Sequence, residues 1–337
     1  MHAIRLHAFG PAANLTYEEV PDPTPGPGQV RIEVEASGVH FIETTLRRGN
    51  GIGPHDPPPL PHSPGAEAAG IVAEVGPGVD AEWLGRRVVA ELAADGGYAE
   101  QAIAAADDLH PVPDHLDAAT AVAMITTGAT TQGLLHAARL TASDVVLVMS
   151  AAGGVGSLLV QEARRAGATV VGVAGGPAKV RHVRELGADV AVDYRDTDWP
   201  DQVHRALRAL AAAPHGGTHG DIVTVVLDGV GGTAGRAALE LLGPGGRFLL
   251  HGWASGTPTA LTTEDLVARG LTAIWALGPA MLPPGGHREL QSRALHRAAT
   301  AGLTPLLSRF PLAKAADAHA ALESRGAMGK VVLLPRG

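Results

Sequence analysis

The sequence predicts an α/β fold with two parts, a compact β-barrel-like unit and a doubly wound parallel sheet of six strands. Three observations predict this fold class. Short valine-rich strands separated by Pro and Gly turns fill the first ~120 residues. An apolar strand then runs into a glycine turn and a helix at Val145–Ser157. Strand and helix signals alternate from there to residue 277, which is typical of a parallel sheet covered by helices.

The amino-terminal unit is predicted from strands such as Gln29–Glu35 and Gly70–Val75, which are bounded by turn residues. The carboxyl-terminal stretch predicts a helix over His287–Ala301, a second helix over Ala313–Glu323 and a closing strand over Gly329–Leu334. A single terminal strand needs a sheet to join. We therefore expect the last strand to return to the amino-terminal unit.

The parallel sheet is predicted from six short apolar runs, each suited to a strand that is buried on both faces. The first begins at Val145, and the others are Thr169–Ala174, Val190–Asp193, Ile222–Asp228, Arg247–His251 and Leu271–Leu277. Helices with apolar residues at three- and four-residue spacing are predicted between them, at Leu158–Ala166, Ala178–Leu186, Asp201–Ala212 and Thr233–Leu242.

The glycine turn between the first strand and helix resembles the G-x-G-x-x-G pattern of dinucleotide-binding domains. Gly153 and Gly156 hold its second and third glycine positions, and Ala151 replaces the first. The second glycine lets the backbone approach a pyrophosphate, and the third lets the helix approach the strand. A tight turn without a ligand is the alternative interpretation. The strand and helix pattern favours a nicotinamide-dependent enzyme.

Length, charge and cysteine content exclude several classes of protein. A chain of 337 residues suggests about two domains. The formal charge of −8 and the scattered Lys and Arg residues argue against a nucleic-acid surface. The sequence has neither a long apolar span nor a signal pattern, so we expect a cytoplasmic protein that does not bind membranes. Cysteine is absent, which excludes disulfides and thiolate metal ligands.

Five segments together resemble the zinc-independent quinone oxidoreductases of the medium-chain dehydrogenase/reductase superfamily. They are EASGVHFIETTLRRG at 35–49, GAEAAGIVAEVGPGV at 65–79, GGYAE at 96–100, AAGGVGS at 151–157 and ESRGAMGKVVLLP at 323–335. The resemblance implies a GroES-like catalytic domain over residues 1–122 and 279–337. It also implies a Rossmann domain that binds NADP(H) over residues 123–278.

The resemblance argues against a catalytic metal ion. Zinc-dependent relatives have a cysteine and a histidine where this chain has His40 and Ala66, and their structural zinc lobe needs four cysteines. A metal held by the nitrogen and oxygen ligands of His40, Glu43, His62 and Glu67 is the alternative. Zinc sites usually show tighter ligand spacing than these residues have. We therefore expect no metal.

The cofactor is predicted at the end of the second strand of the sheet. NAD enzymes place a carboxylate there to bind the ribose hydroxyls, whereas this chain has Val173–Gly176. Lys179 and Arg181 follow. The resemblance implies that Lys179 and Tyr194 contact the adenosine 2′-phosphate. NADPH is therefore preferred over NADH.

The resemblance implies further cofactor contacts, of which Thr130 can equally serve to cap or bond its own helix. They are Ala152, Gly153, Gly154 and Val155 at the glycine turn, Gly175 after the second strand, and Thr130, Gly252 and Arg325 elsewhere.

The predicted chemistry is direct hydride transfer from NADPH to a quinone or an α,β-unsaturated carbonyl compound in a cleft between the domains. This chain has His40, Glu43 and Thr45 where the family has Asn, Asp and Tyr. We expect all three in catalysis, with His40 able to donate a proton near neutral pH.

Two other functions stay open. One is a biosynthetic tailoring enoyl reductase or dehydrogenase of the same superfamily, and the other is a non-catalytic NADPH-binding protein. Trp253, Trp275, Met281 and the loop 55–60 are expected to line the cleft, although packing is an equal role for the tryptophans. The apolar last strand, 271–277, predicts a homodimer formed through that edge.

Overall fold

The computed structural model describes residues 1–51, 55–212, 221–300 and 302–336. The chain divides into two compact units. The first comprises Met1–Ala129 and Gln291–Gly337, and the second comprises Thr130–Leu290. Sequence analysis placed the boundaries after residues 122 and 278. In the structure this division falls after residues 129 and 290, and both positions lie within helices.

The first unit is built mainly from β-strands. Within the described residues its elements are β1 (His2–Leu6), β2 (Leu15–Glu19), β3 (Gln29–Val39), α1 (Phe41–Arg47), β4 (Glu67–Val75), β5 (Arg87–Glu91), β6 (Gln101–Ala105), β7 (His110–Pro111) and α2 (Ala118–Ala123). A π-helical turn, Met124–Gly128, joins α2 to α3 (Ala129–Ala138).

The second unit alternates strands and helices. Its described elements after α3 are β8 (Val145–Val148), α4 (Gly154–Arg165), β9 (Thr169–Ala174), α5 (Pro177–Glu185), β10 (Val190–Asp193), α6 (Trp199–Ala211), β11 (Val223–Asp228), α7 (Gly232–Glu240), β12 (Leu242–Leu250), α8 (Thr263–Arg269), β13 (Thr272–Trp275) and α9 (Gly286–Thr300). The chain then returns to the first unit as β14 (Leu307–Pro311), α10 (Ala315–Glu323) and β15 (Lys330–Leu334).

The main sheet of the first unit has seven strands among the described residues. Its order is β14-β15-β3-β4-β5-β7, with β6 also paired to β3. The predicted return of the carboxyl-terminal strand is confirmed, because β15 runs antiparallel to β3 with Val331 opposite Val39. Along β3 the buried residues Val30, Ile32 and Val34 alternate with half-exposed polar residues. This is the pattern of a sheet with one face in the core.

The sheet of the second unit is parallel throughout its described strands. Its order is β10-β9-β8-β11-β12-β13, which is the order of a doubly wound dinucleotide-binding domain. Strands β8 and β9 are buried along their whole length because hydrophobic clusters lie on both faces. Double burial explains why their sequences are continuous apolar runs.

The predicted strands and helices of this unit are confirmed, with shifts at their ends. Helix α4 begins at Gly154 and not Leu158, because its first turn contains two glycines and gives no apolar periodicity. Strand β12 begins at Leu242 and not Arg247, and it pairs with β11 across an irregular register. The edge strand β13 is shorter than the predicted 271–277. Helix α9 ends at Thr300, and the predicted last residue, Ala301, lies outside the described residues.

Candidate functional site

The glycine turn follows the central strand of the second unit. After β8 the chain passes through Ser150, which has a positive φ of 52°, and Gly153 then caps the start of α4. Its amide donates a hydrogen bond to the Ser150 carbonyl at 2.8 Å. A Cβ at Gly156 would lie 2.2 Å from the same carbonyl oxygen. Only glycine at position 156 lets α4 begin this close to the strand.

The turn has the features of an anion site. The first amides of an α-helix have no partner within the helix, and the helix dipole is positive there. The predicted contact residues Ala152, Gly153, Gly154 and Val155 lie together at this point, with Gly154 and Val155 as the first two residues of α4. A pyrophosphate is the ligand that such a turn fits after the first strand of a doubly wound sheet.

The ends of β9 and β10 meet beside this turn in the sheet. Gly175 and Gly176 follow β9, and Tyr194 and Arg195 follow β10. A Cβ at Gly175 would lie 3.2 Å from the Tyr194 hydroxyl. A Cβ at Gly176, which has a φ of 102°, would lie 3.0 Å from Nη2 of Arg195. The two glycines therefore leave room for the side chains that follow β10, and predicted Gly175 and Tyr194 are in contact range.

An acid that sequence analysis overlooked holds this region together. Asp193 Oδ2 accepts a hydrogen bond from the Gly176 amide at 2.9 Å and from Arg195 Nη2 at 2.7 Å. These hydrogen bonds, led by that of Arg195, lower the pKa of Asp193 to about 2. Lys179 lies half-buried on α5, which begins directly after Gly176. The signal for Arg195 was its place beside Tyr194 in the segment VDYRD.

Further along the sheet, Gly252 follows β12 and is half-buried. Its neighbour His251 donates its backbone amide to Asp228. Burial lowers the pKa of the His251 imidazole to about 4, against a smaller raising effect of Asp228. Thr130 lies half-buried in the first turn of α3, after the π-helical turn. These residues belong to the second unit, whereas predicted Arg325 belongs to the first.

In the first unit, three strand ends bring His40, Glu67 and Lys330 together; we call them the lysine cluster. Lys330 begins β15, Glu67 begins β4, and His40 follows β3, the strand that pairs with both. The Lys330 ammonium lies 2.5 Å from Glu67 Oε1 and 3.0 Å from His40 Nε2. Glu67 Oε1 also lies 3.1 Å from His40 Nε2.

Burial differs within the lysine cluster. The side chains of Glu67 and Lys330 are 0% and 4% exposed, whereas that of His40 is 21% exposed. Burial raises the pKa of Glu67, but the nearby charges of His40 and Lys330 outweigh it, so the pKa lies well below its ordinary range. An ammonium can only donate hydrogen bonds, so Nε2 accepts from Lys330 when the His40 ring is neutral. His40 is the member of the cluster that a substrate can reach.

Glu43 lies behind His40 in a second cluster with Tyr98 and His319. Glu43 Oε2 accepts hydrogen bonds from the His40 amide at 2.6 Å and from the Tyr98 hydroxyl at 2.7 Å. Tyr98 Oη also lies 3.1 Å from His319 Nε2. Burial raises the pKa of Glu43 and of Tyr98, and it lowers the pKa of His319 to about 3. Glu43 therefore fixes the start of α1 and the backbone at His40.

The four residues weighed as metal ligands have different partners. His62 pairs with Asp95 at 3.3 Å, Glu43 bonds Tyr98, and the Lys330 ammonium occupies the position between His40 and Glu67. Within residues 1–51, 55–212, 221–300 and 302–336, no group of three or more His, Asp or Glu side chains has metal-binding geometry. Thr45 lies half-buried on α1, and its carbonyl accepts the amides of Arg48 and Asn50.

Comparison with known proteins identifies the family. Residues 26–114 match the alcohol dehydrogenase GroES-like domain, and residues 154–284 match the zinc-binding dehydrogenase family. A 2-haloacrylate reductase from Burkholderia sp. is 34% identical over 345 residues, with 98% of both chains covered. A quinone oxidoreductase from Sus scrofa is 33% identical over 342 residues, covering 99% of this chain and 98% of the relative. The chain belongs to the quinone oxidoreductase family.

A solved structure agrees with this family. A mycobacterial protein in complex with NADPH matches with a TM-score of 0.82 at 33% identity, covering 99% of this chain and 100% of the other. The resemblance that the five sequence segments carried is thereby confirmed. The predicted fold, a GroES-like part and a Rossmann part, is confirmed as well.

The surroundings of His40 do not fit a thiolate zinc site. Cysteine is absent from the chain, so the zinc named in the description of the matched family has no thiolate ligand here. A lysine ammonium lies against the histidine instead. Sequence analysis singled out His40 and Glu67 but not Lys330, Tyr98 or His319. The signals for Lys330 and Tyr98 were the conspicuous single residues in GKVVLL and GGYAE, which give no role by themselves, and His319 had no comparable signal.

Proposed function

We propose that the chain reduces quinones or α,β-unsaturated carbonyl compounds with NADPH and without a metal ion. The chain is an NADPH-dependent oxidoreductase of the quinone oxidoreductase family. The observation that carries the substrate proposal is the lysine cluster, in which a buried ammonium lies 3.0 Å from a partly exposed imidazole. Together these groups can supply a proton to a reduced substrate.

The residues of the second unit fit NADPH. The glycine turn offers helix amides to a pyrophosphate, and Gly175 leaves open space under Tyr194. We propose that Ala152, Gly153, Gly154 and Val155 hold the pyrophosphate, and that Gly175, Lys179 and Tyr194 surround the 2′-phosphate. Thr130, Gly252 and Arg325 are proposed as further contacts. The expected cofactor, NADPH, is confirmed by the relative that binds it.

NADPH, when bound, supplies a hydride to the conjugated substrate. The substrate is left with negative charge on its carbonyl oxygen, which positive charge and a proton stabilise. His40, when protonated, gives the proton because it is the exposed member of the lysine cluster, and the Lys330 ammonium then donates a hydrogen bond to Nε2 of the neutral ring. Glu67 keeps the positive charge of Lys330 in place. Glu43 positions His40 through its amide, and the hydroxyl of Thr45 is a further donor.

The substrate class follows from this chemistry. A conjugated carbonyl needs less activation than a simple one, because the incoming charge is spread over several atoms. The names of the two relatives, a 2-haloacrylate reductase and a quinone oxidoreductase, both describe conjugated acceptors. These observations support quinones and α,β-unsaturated carbonyl compounds over simple alcohols or ketones.

The test is NADPH oxidation measured with matched panels of quinones, enones and enoyl thioesters. We expect turnover with quinones or enones, retained in the presence of a metal chelator. Preference for enoyl thioesters would favour a biosynthetic enoyl reductase. NADPH binding without turnover of any acceptor would contradict the proposal and favour a binding protein.

The role of His40 is tested with His40→Gln. Removing the proton donor is expected to lower kcat by about 10²- to 10⁴-fold. His7→Gln is the matched control, because His7 pairs with Glu18 at the surface of the same unit. Full turnover of His40→Gln at every pH would remove His40 from the mechanism.

We also propose a homodimer formed through residues 271–277. Strand β13 lies at the edge of its sheet, and Trp275 and Leu277 are 46% and 38% exposed. An exposed apolar edge favours pairing with a second copy. Sedimentation is expected to give a dimer at micromolar concentration, and Trp275→Lys is expected to give a monomer.

None of the helices in the described residues is long and apolar enough to cross a bilayer.

A further inference from the structure

The ion pair between Asp193 and Arg195 lies where the second unit is expected to receive the adenosine end of its cofactor. Asp193 is fixed by the backbone, because Oδ2 accepts the Gly176 amide at 2.9 Å and Oδ1 accepts the Arg195 amide at 3.0 Å. Arg195 is then held by Asp193, through Nε at 3.1 Å and Nη2 at 2.7 Å. Gly176 completes the arrangement, since a Cβ there would lie only 3.0 Å from Nη2 of Arg195.

The position of Asp193 is the unexpected feature. Enzymes that use NADH place a carboxylate beside the ribose hydroxyls, at the end of the second strand of the sheet. This chain has glycines at that strand end, but the carboxylate of the neighbouring strand β10 is hydrogen-bonded to one of them. A carboxylate at this place attracts ribose hydroxyls and repels a 2′-phosphate.

The Arg195 guanidinium can neutralise the Asp193 carboxylate and so offset its repulsion of a 2′-phosphate. Its side chain is 59% exposed, so the guanidinium can reach a bound ligand without leaving its partner. Asp193 uses Nε and Nη2, and Nη1 takes no part in the pairing. A guanidinium has five N–H donors, enough to bond a carboxylate along one edge and a phosphate along another.

We propose that Arg195 and Asp193 form a cofactor-selecting pair, in which Arg195 binds the 2′-phosphate of NADPH and masks a carboxylate that otherwise favours NADH. This inference rests on the proposed function and deepens it. Arg195 acts twice, by attracting the phosphate and by neutralising Asp193. Replacing Arg195 therefore weakens NADPH binding more than the loss of a single phosphate contact does. Replacing Asp193 as well restores part of the NADPH affinity.

Calorimetry with NADPH, NADH, 2′,5′-ADP and 5′-AMP tests the pair. In Arg195→Gln we expect NADPH and 2′,5′-ADP to bind about 10- to 100-fold more weakly, as for loss of a charge-assisted hydrogen bond. NADH and 5′-AMP are expected to bind as tightly as before or more tightly. In Asp193→Asn combined with Arg195→Gln, NADPH is expected to regain about three- to tenfold in affinity.

The matched control is Arg205→Gln, because Arg205 pairs with Asp198 at the surface of the same unit at 3.1 Å. That variant is expected to bind all four nucleotides like the parent. An unchanged ratio of NADPH to NADH affinity in Arg195→Gln would overturn the role of Arg195. Equal NADPH affinity in the single and double variants would overturn the masking of Asp193. In both cases the parent still oxidises NADPH with quinones or enones, whereas failure of the proposed function would appear as a parent that turns over none of these acceptors.

Discussion

Each unit of the molecule has an ion pair at its candidate site, and the two pairs differ in burial. Glu67 and Lys330 are 0% and 4% exposed, whereas Asp193 and Arg195 are 16% and 59% exposed. A buried pair is hard to separate, because either charge alone in the interior is very unfavourable. An exposed pair is screened by water and salt and exchanges partners readily. The first pair can therefore hold a charge permanently, and the second can share its charge with a ligand.

Lys330→Met tests the buried pair and has the largest expected effect. It leaves Glu67 without its counter-charge, so the free energy of unfolding is expected to fall by about 3–5 kcal/mol. The measurement is urea denaturation at pH 7. Glu67→Gln combined with Lys330→Met removes both charges and is expected to recover most of the loss. Equal destabilisation in the single and double variants would show that the pair is less tightly coupled than its distances indicate.

The second prediction compares one histidine from each unit, His319 and His251, as the pH falls. His319 and His251 have pKa values of about 3 and about 4 in the folded chain, against an ordinary value of 6.5. Below pH 6.5 the unfolded chain binds a proton at each ring and the folded chain does not. Stability is therefore lost as pH falls from 6.5 toward 3 for His319 and toward 4 for His251. Each contributes about 1.4 kcal/mol per pH unit across its window.

Substituting each histidine separates its contribution to the free energy of unfolding. Urea denaturation of His319→Gln and His251→Gln from pH 7 to pH 4 is expected to show less loss of stability on acidification than the parent does. Differences between variants are needed because Glu43, with its raised pKa, acts in the opposite direction. The folded chain favours protonated Glu43, so its contribution falls as pH rises. A parallel pH profile for the parent and His319→Gln would contradict the neutral, buried state of this ring.

Gly38→Ala tests how the fold makes room for the buried pair. A Cβ at Gly38 would lie 1.7 Å from Glu67 Oε1 and 2.7 Å from Lys330 Cε. Both side chains are buried and cannot move into water, so we expect a loss of about 1–3 kcal/mol in the free energy of unfolding. Gly245→Ala is not a matched control, because Gly245 has a positive φ. Gly278→Ala is a better one, since Gly278 has a φ of −131° and the atom nearest to an added Cβ is 3.8 Å away.

The smallest expected change in stability is that of Arg195→Gln. Its partner Asp193 keeps the two backbone amides as donors, and the guanidinium is mostly in water. The midpoint of urea denaturation is therefore expected to match that of the parent, at low and at high salt. A clear drop at low salt would show that the exposed pair stabilises the fold and is less free to bind a phosphate.

Much of the second unit could be predicted from sequence because its signals are local. The glycine turn, the buried strands and the helices between them each depend on residues adjacent in the chain. The first residues of helix α4 and strand β12 were less predictable, because glycines there replace the apolar pattern. The pair of Asp193 and Arg195 was missed because its meaning depends on Gly176, which belongs to a different strand end.

The lysine cluster shows more clearly what could not be predicted from the sequence. Sequence analysis considered His40 and Glu67 as candidate metal ligands, but their partner Lys330 lies 290 positions from His40 in the chain. The antiparallel pairing of β15 with β3 brings them together. No spacing within a segment encodes that register.

The sequence by itself determined the fold class, the dinucleotide turn and the family, because short-range patterns of apolar residues and glycines decide them. Tertiary structure alone decided which charges are buried together and which stay in water. Strand register sets those neighbours, and burial then fixes whether a charge is held in place or left free to bind a ligand.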